Sequence, residues 1–184
     1  MRTFIALDLD KPLKETLEGL ISRLRHRGGD IRWVKPEGMH LTIKFLGEIG
    51  EETVAKLKSS LGVVAGRHKP FRLTFQGTGT FPPGSKARVL WVGVEDNSAL
   101  KALQEDLETE TERLGFPREE RRFHPHLTLG RVKASLGLQT LLQEFKQEAN
   151  TSFGQTEVSR LTFFQSTLRP TGAEYSILGE YRLG

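Results

Sequence analysis

The pattern of apolar and polar positions predicts a chain in which strands alternate with helices. Apolar residues alternate with polar ones over residues 2–9, which is typical of a β-strand. Leucines then recur every three or four residues from Leu13 to Leu24, which predicts a helix that begins after Asp10 and ends before Gly28. The same two patterns predict further strands at 31–34, 39–47, 71–81, 88–95, 126–132, 157–168 and 173–183, and further helices at 51–66, 98–114 and 138–149.

The predicted elements repeat once along the chain. The strand and helix that begin at Phe4 align without gaps with those that begin at Trp91, at an offset of 87 residues, and His40 lies 86 residues before His126. This period is too long for a solenoid and indicates a duplicated strand-helix unit. We therefore expect an α+β fold in which residues 1–184 form a single domain of two similar lobes. A pseudo-twofold axis would relate the lobes, with antiparallel or mixed sheets lining a central cleft and helices on the outer faces.

Composition narrows the class of protein. The chain carries 27 Lys and Arg against 23 Asp and Glu, a net charge of +4 that suits either a polyanionic partner such as RNA or a solvated surface. It has no cysteine, which excludes disulfides and thiolate chemistry. No apolar run is long enough to span a membrane, and the first residues do not resemble a signal peptide, so we expect a cytoplasmic protein.

The repeat contains a matched pair of short motifs, His-Leu-Thr followed by an aliphatic residue. Because alternate side chains of a strand share a face, His40 lies beside Thr42, and His126 beside Thr128. Two imidazoles can cleave a phosphodiester when one accepts a proton and the other donates one. The threonine hydroxyls can donate hydrogen bonds to the phosphate oxygens. The pair therefore predicts a symmetric acid-base site.

Other interpretations of the histidines carry less weight. A single histidine in a strand is usually structural, but two matching motifs at equivalent places in a repeat favour catalysis. His124 and His126 share a face across Pro125, yet no third metal ligand accompanies them in sequence. We therefore expect no metal and no cofactor.

These residues resemble a known family. The segments around both motifs, RWVKPEGMHLTIKFLGE and HPHLTLGRV, are similar to the two-histidine (2H) phosphoesterase superfamily, and within it to the RNA 2',3'-cyclic phosphodiesterases, also named 2'-5' RNA ligases. The resemblance covers essentially the whole chain. It implies a metal-independent hydrolase that opens RNA 2',3'-cyclic phosphate ends, tRNA-derived ones among them, to 2'-phosphates, and that joins RNA halves through a 2'-5' linkage in reverse. A monomer is expected.

The resemblance also implies roles for individual residues. His40 would be the proton donor and His126 the proton acceptor, while Thr42, Thr128 and Arg131 would bind the phosphate. Arg131 lies five positions after His126, an odd offset that points it to the other face of a regular strand. A bulge at Gly130 would turn it back.

Phe45 occupies the position in the first lobe that Arg131 occupies in the second, and it is a candidate base-stacking residue. The same odd offset separates it from the first motif's histidine. Two alternatives stay open at the level of sequence. One is a phosphodiesterase for a small cyclic nucleotide or an ADP-ribose cyclic phosphate, and the other is an RNA-binding module without catalysis.

Overall fold

The computed structural model describes residues 1–184 and contains nine strands, four α-helices and one short 3-10 helix at Pro36–Gly38. The strands are β1 (Arg2–Asp8), β2 (Asp30–Trp33), β3 (His40–Glu48), β4 (Phe71–Phe81), β5 (Val89–Val94), β6 (His126–Ala134), β7 (Ser152–Val158), β8 (Arg160–Arg169) and β9 (Gly172–Arg182). The helices are α1 (Lys11–Leu24), α2 (Glu51–Gly66), α3 (Ser98–Arg113) and α4 (Leu138–Gln147).

The strands form two antiparallel sheets. The first sheet has the order β3-β1-β8-β9, and the second has the order β2-β6-β5-β4-β7. Apart from β2, the two orders correspond strand for strand, because β3, β1 and β8 stand where β6, β5 and β4 stand in the other sheet. The predicted α+β fold with two related lobes is thus confirmed, and all strand pairs are antiparallel.

The helices that follow the two equivalent strands cross to the opposite sheet. Helix α1 follows β1 of the first sheet but packs with α4 against β7 of the second. Helix α3 follows β5 of the second sheet but packs with α2 and against β3 of the first. At the start of α1, the backbone N–H of Asp10 donates to Thr156 Oγ1 at 2.8 Å. The two lobes are therefore intertwined, which the local pattern of the chain does not indicate.

One apolar core joins the two sheets. A contiguous cluster of 34 buried residues includes Leu7 and Leu41 of the first sheet, Phe75 and Leu127 of the second, and the inner faces of all four helices. The leucines that predicted the helical faces lie in this cluster, because burying a leucine side chain stabilises the fold by about 1.5–3 kcal/mol. None of the helices combines the length and apolar character that crossing a membrane requires.

The segment 157–168 was wrongly predicted as one strand. The structure divides it at Ser159: β7 pairs with β4 in the second sheet, whereas β8 pairs with β1 in the first. Val158 and Leu161, both buried, are separated by three positions instead of two. That break in the alternation was visible in the sequence, but the partner strands were not.

An ion pair lies inside the core. Lys44 Nζ donates to Glu108 Oε2 of α3 at 2.8 Å and to the carbonyl oxygen of Pro117 at 3.1 Å. Both side chains of the pair are only 6% exposed. The backbone N–H of Glu119 donates to the same carboxylate oxygen at 3.2 Å. The pair therefore attaches β3 to α3 and to the chain that leaves it.

We expect Lys44→Met to lower the free energy of unfolding by about 3–5 kcal/mol, because it leaves the Glu108 carboxylate buried without a cation. Replacing both partners, Lys44→Met with Glu108→Leu, should recover most of that loss. Lys56→Met, at an exposed pair with Glu52, should leave stability nearly unchanged, because water screens that pair. Urea titration monitored by circular dichroism measures all three. A double variant at least as unstable as Lys44→Met alone would contradict this account.

Candidate active site

A β-bulge in β3 determines which side chains share the face of His40. Going forwards along β1, Ile5 pairs with Lys44 and the next residue, Ala6, pairs with Thr42, so Ile43 is an extra residue in β3. An extra residue reverses the alternation of side chains beyond it. Phe45 therefore lies on the face of the histidine, while Lys44 turns into the core.

An equivalent bulge lies in β6. Leu90 of β5 pairs with Gly130, and the next residue, Trp91, pairs with Thr128, so Leu129 is the extra residue. The bulge therefore places Arg131 on the same face of β6 as His126. The bulge that the sequence suggested at Gly130 is present, with Leu129 as its extra residue. A Cβ atom on Gly130 would lie 2.6 Å from Ile31 Cγ2, so glycine is what this close approach of β2 permits.

Strand pairing shows at which offset β1 and β5 correspond. Ala6 pairs with Thr42 in the first sheet, and Trp91 pairs with Thr128 in the second. Trp91 is therefore the structural counterpart of Ala6. The gapless alignment of the sequence had instead made it the counterpart of Phe4. A shift of two residues leaves the alternation of a strand unchanged, so the apolar pattern alone could not distinguish the two alignments.

His40, the first residue of β3, is enclosed by aromatic rings. Its imidazole stacks on Phe4 and Phe164, with ring centroids 5.1 and 4.8 Å away, and Tyr175 meets it edge-on at 5.0 Å. This burial lowers the pKa of His40 to about 4, although the nearby Asp8 carboxylate favours the charged form. The imidazole is thus neutral at pH 7 in the absence of a ligand.

His126, the first residue of β6, is fixed by the backbone. Its Nδ1 lies 2.7 Å from the carbonyl oxygen of His124, an arrangement in which Nδ1–H donates and Nε2 keeps its lone pair. Phe81 packs edge-on against the ring at 5.0 Å. Desolvation lowers the pKa of His126, and Arg131 acts in the same direction, whereas the hydrogen bond to His124 raises it. The neutral tautomer is therefore one that can accept a proton at Nε2.

The remaining residues predicted from sequence lie on the same two strands. Thr42 and Thr128 are each two positions after a histidine, half-buried and on its face. Phe45 is 71% exposed, and its ring centroid lies 6.0 Å from that of Phe4. Arg131 is exposed and close enough to lower the pKa of the second histidine. Strands β3 and β6 approach each other where the two sheets meet. The structure thus places one complete motif on each side of this boundary.

Sequence reasoning did not find the aromatic residues that enclose the histidines. Phe4 could have been found, because it alternates with Ala6 and Asp8 on the face that β1 shares with His40. Phe164 and Tyr175 come from β8 and β9, more than a hundred residues later, and no local pattern connects them to the motif.

No group of three or more His, Cys, Asp or Glu side chains lies close enough together to hold a metal ion. A cavity of about 580 Å³ lies behind β2, between Ile21, Trp33 and Pro36, and contains neither histidine. A second, of about 370 Å³, lies between Phe45 and the segment 116–121. Neither cavity is lined by a histidine or threonine of the two motifs.

A family model described as the 2'-5' RNA ligase superfamily matches residues 12–168, a span that contains both motifs and both bulges. The chain belongs to the 2'-5' RNA ligase superfamily. The resemblance to the two-histidine phosphoesterases is thereby confirmed.

Relatives within the superfamily match over nearly their whole length. A protein of Methanothermobacter thermautotrophicus is 32% identical over 183 residues, 100% of this chain and 99% of the relative. One of Archaeoglobus fulgidus is 35% identical over 179 residues, 97% and 98% of the two chains. Both relatives are named RNA 2',3'-cyclic phosphodiesterase.

Solved structures agree with the fold. The protein TT0787 of Thermus thermophilus has a TM-score of 0.86 at 28% identity and covers 100% of this chain and 98% of that one. Escherichia coli LigT, in a complex with 3'-AMP, has a TM-score of 0.75 at 26% identity and covers 99% and 97%. The two-sheet arrangement of this chain is thus shared with both solved structures.

We expect the buried His40 to make the protein less stable in acid. Its pKa is about 4 when folded and 6.5 when unfolded, so the unfolded chain binds more protons between these values and stability falls as the pH falls. Between pH 7 and 4.5 this linkage removes about 2 kcal/mol. His40→Phe, which keeps an aromatic ring, should lose that part of the pH dependence in urea titrations. Identical pH dependence in both proteins would contradict the burial effect.

Proposed function

We propose that this protein hydrolyses the 2',3'-cyclic phosphate end of RNA to a 2'-phosphate, without a metal, by acid-base catalysis between His40 and His126. The observation that carries the proposal is the placement of two His-x-Thr motifs on adjoining strands, each with a bulge that returns a further side chain to the same face. Membership of the 2'-5' RNA ligase superfamily and the name shared by the relatives support the choice of substrate.

In the proposed reaction, Nε2 of His126 accepts a proton from water while the water oxygen attacks phosphorus. The bond from phosphorus to the ribose 3'-oxygen breaks, and His40 donates a proton to that oxygen. The products are a 2'-phosphate and a 3'-hydroxyl, and exchange with solvent returns both imidazoles to their starting protonation. If the 5'-hydroxyl of a second RNA takes the place of water, the same step joins the two RNA ends through a 2'-5' linkage.

The environments of the two histidines support these different roles. The Nδ1 contact of His126 to a backbone carbonyl holds the tautomer whose Nε2 is a base. The low pKa of His40 makes its imidazolium a strong acid, and a bound phosphate anion favours that protonated form. Substrate binding would therefore favour protonated His40, which supplies the proton that the leaving oxygen needs.

The other site residues would bind the substrate. Thr42 and Thr128 hydroxyls would donate to the nonbridging phosphate oxygens, and the Arg131 guanidinium would stabilise the charge that develops on them. The exposed ring of Phe45, beside Phe4, would stack on the terminal nucleobase. The finer expectations, that the RNA is tRNA-derived and that the protein acts as a cytoplasmic monomer, stay predictions.

A second candidate function is hydrolysis of a small cyclic nucleotide or an ADP-ribose cyclic phosphate. Its specific support is the aromatic group around His40, which would accept a single nucleoside. The name shared by the relatives favours RNA instead. A binding module without catalysis is disfavoured, because it would gain more from Lys or Arg than from two neutral histidines.

We expect His40→Ala and His126→Ala each to reduce turnover by about 10²–10⁴-fold, because each removes one half of the proton transfer. The assay incubates RNA bearing a 2',3'-cyclic phosphate with protein in EDTA and separates the phosphate isomers. His26→Ala, at an exposed histidine outside the site, should leave the rate unchanged. Near wild-type rates in either site variant would refute acid-base catalysis, and a 3'-phosphate product would reverse the donor and acceptor.

We expect the pH profile of kcat/KM to be bell-shaped, with both apparent pKa values below 6.5. The reaction needs His40 protonated and His126 neutral, and both pKa values lie below 6.5 in the free protein. Above pH 6.5, kcat/KM should fall about tenfold per pH unit. The alkaline limb of kcat should lie at higher pH, because the phosphate anion raises the pKa of each imidazole. Initial rates from about pH 4 to 9 measure the profiles of kcat/KM and of kcat. A kcat/KM that rises above pH 7 would contradict the assignment of the two histidines.

A further inference from the structure

Strand β2 is the one element that breaks the correspondence between the two sheets. The first sheet ends at β3, so the motif strand is its edge, whereas in the second sheet β2 is added outside β6. Only the strand of the second motif thus has a neighbour on both sides, with β2 beside residues 130–134 that follow the motif. The added strand brings a further row of side chains to the face that carries His126.

The register of β2 places Arg32 on that face. Arg32 pairs directly with Arg131, which in turn pairs with Val89 on the other side, and paired residues of adjacent strands share a face. Ile31 and Trp33 alternate with Arg32 and pack against the core, so Arg32 must point the opposite way, and it is exposed. Its Cβ therefore lies about 5 Å from that of Arg131, farther from the histidine.

Neither arginine is neutralised by the protein. Arg67 and Arg118 are held by carboxylates elsewhere in the chain, whereas Arg32 and Arg131 form no ion pair or side-chain hydrogen bond. Like charges directly opposite each other in a sheet are destabilising. Such a pair of unpartnered guanidinium groups beside the proposed phosphate site leaves both side chains free to bind anions.

The number of donors indicates that Arg32 serves a second phosphate. The cyclic phosphate carries one negative charge, and in the proposed site it would already face two threonine hydroxyls, the imidazolium of His40 and Arg131. Arg32 stands one strand farther from the motif, where an RNA chain would carry its next phosphodiester. A mononucleotide has no anion to place there.

We propose that Arg32 binds the phosphodiester immediately 5' of the terminal nucleotide and so gives the enzyme its preference for RNA chains over cyclic mononucleotides. This inference rests on the proposed function. The cleft then has an aromatic side, with Phe45 and Tyr175, and a basic side, with Arg131 and Arg32.

The test compares Arg32→Ala with wild type on two substrates, a nucleoside 2',3'-cyclic monophosphate and a trinucleotide with the same cyclic end. We expect kcat/KM for the trinucleotide to fall about tenfold, mainly through KM, and kcat/KM for the mononucleotide to stay within about twofold. Arg32→Lys should retain part of the effect, because a point charge remains. Arg25→Ala is the matched control, since this exposed arginine at the end of α1 lies behind β2, on the side away from the motifs.

Binding of the 2'-phosphorylated trinucleotide product, followed by fluorescence anisotropy at several salt concentrations, gives a second measurement that needs no turnover. In Arg32→Ala the slope of log affinity against log salt should be shallower by about 0.7, the value for one phosphate of a single strand. Equal losses on both substrates, or no loss on the trinucleotide, would overturn the assignment of Arg32. If wild type leaves both cyclic ends intact, the proposed function itself fails, and this is visible before any variant is compared.

Discussion

The site depends on one extra residue in each of two equivalent strands. A regular strand would place Phe45 and Arg131 on the face away from the histidines, because each follows its histidine at an odd offset. The bulges at Ile43 and Leu129 return both side chains to the cleft. The same geometry sends the residue after each bulge inwards. At one of these positions a buried lysine needs the Glu108 carboxylate, and at the other only glycine fits beneath β2.

Duplication supplies two similar motifs, and departures from symmetry make them chemically different. His40 lies among aromatic rings, which disfavour its charged form and lower its pKa, whereas His126 is held through Nδ1 by a backbone carbonyl. Two histidines in identical environments would share one pKa, and neither would be fixed as acid or base. The structure separates them by what the other strands place around each ring, so the asymmetry needed for proton transfer comes from the surrounding sheets and not from the motifs.

Much of the fold and part of the site follow from local pattern. Helical faces and the His-x-Thr pairs could be predicted because each depends only on the period of its own segment. The direction of Arg131 could not, since a bulge is defined by register against β5, a partner some forty residues away. The aromatic rings from β8 and β9 and the crossing of α1 and α3 were missed for the same reason. Periodicity shows which side of an element is apolar, but not which sheet it covers.

The crossing of the helices bears on how the protein selects substrate. Each sheet is covered by a helix that leaves the other sheet, and one core cluster extends through both. Opening the cleft by separating the sheets would expose the apolar faces of α1 and α3 to water, at a cost of roughly 25 cal/mol for each Å². The two motifs are therefore held in a fixed relation, and a closing motion of the lobes is a poor source of specificity. Substrate selection must therefore come from the side chains on the two motif-bearing sheet faces. The largest difference between these faces is strand β2, which has no counterpart beside β3.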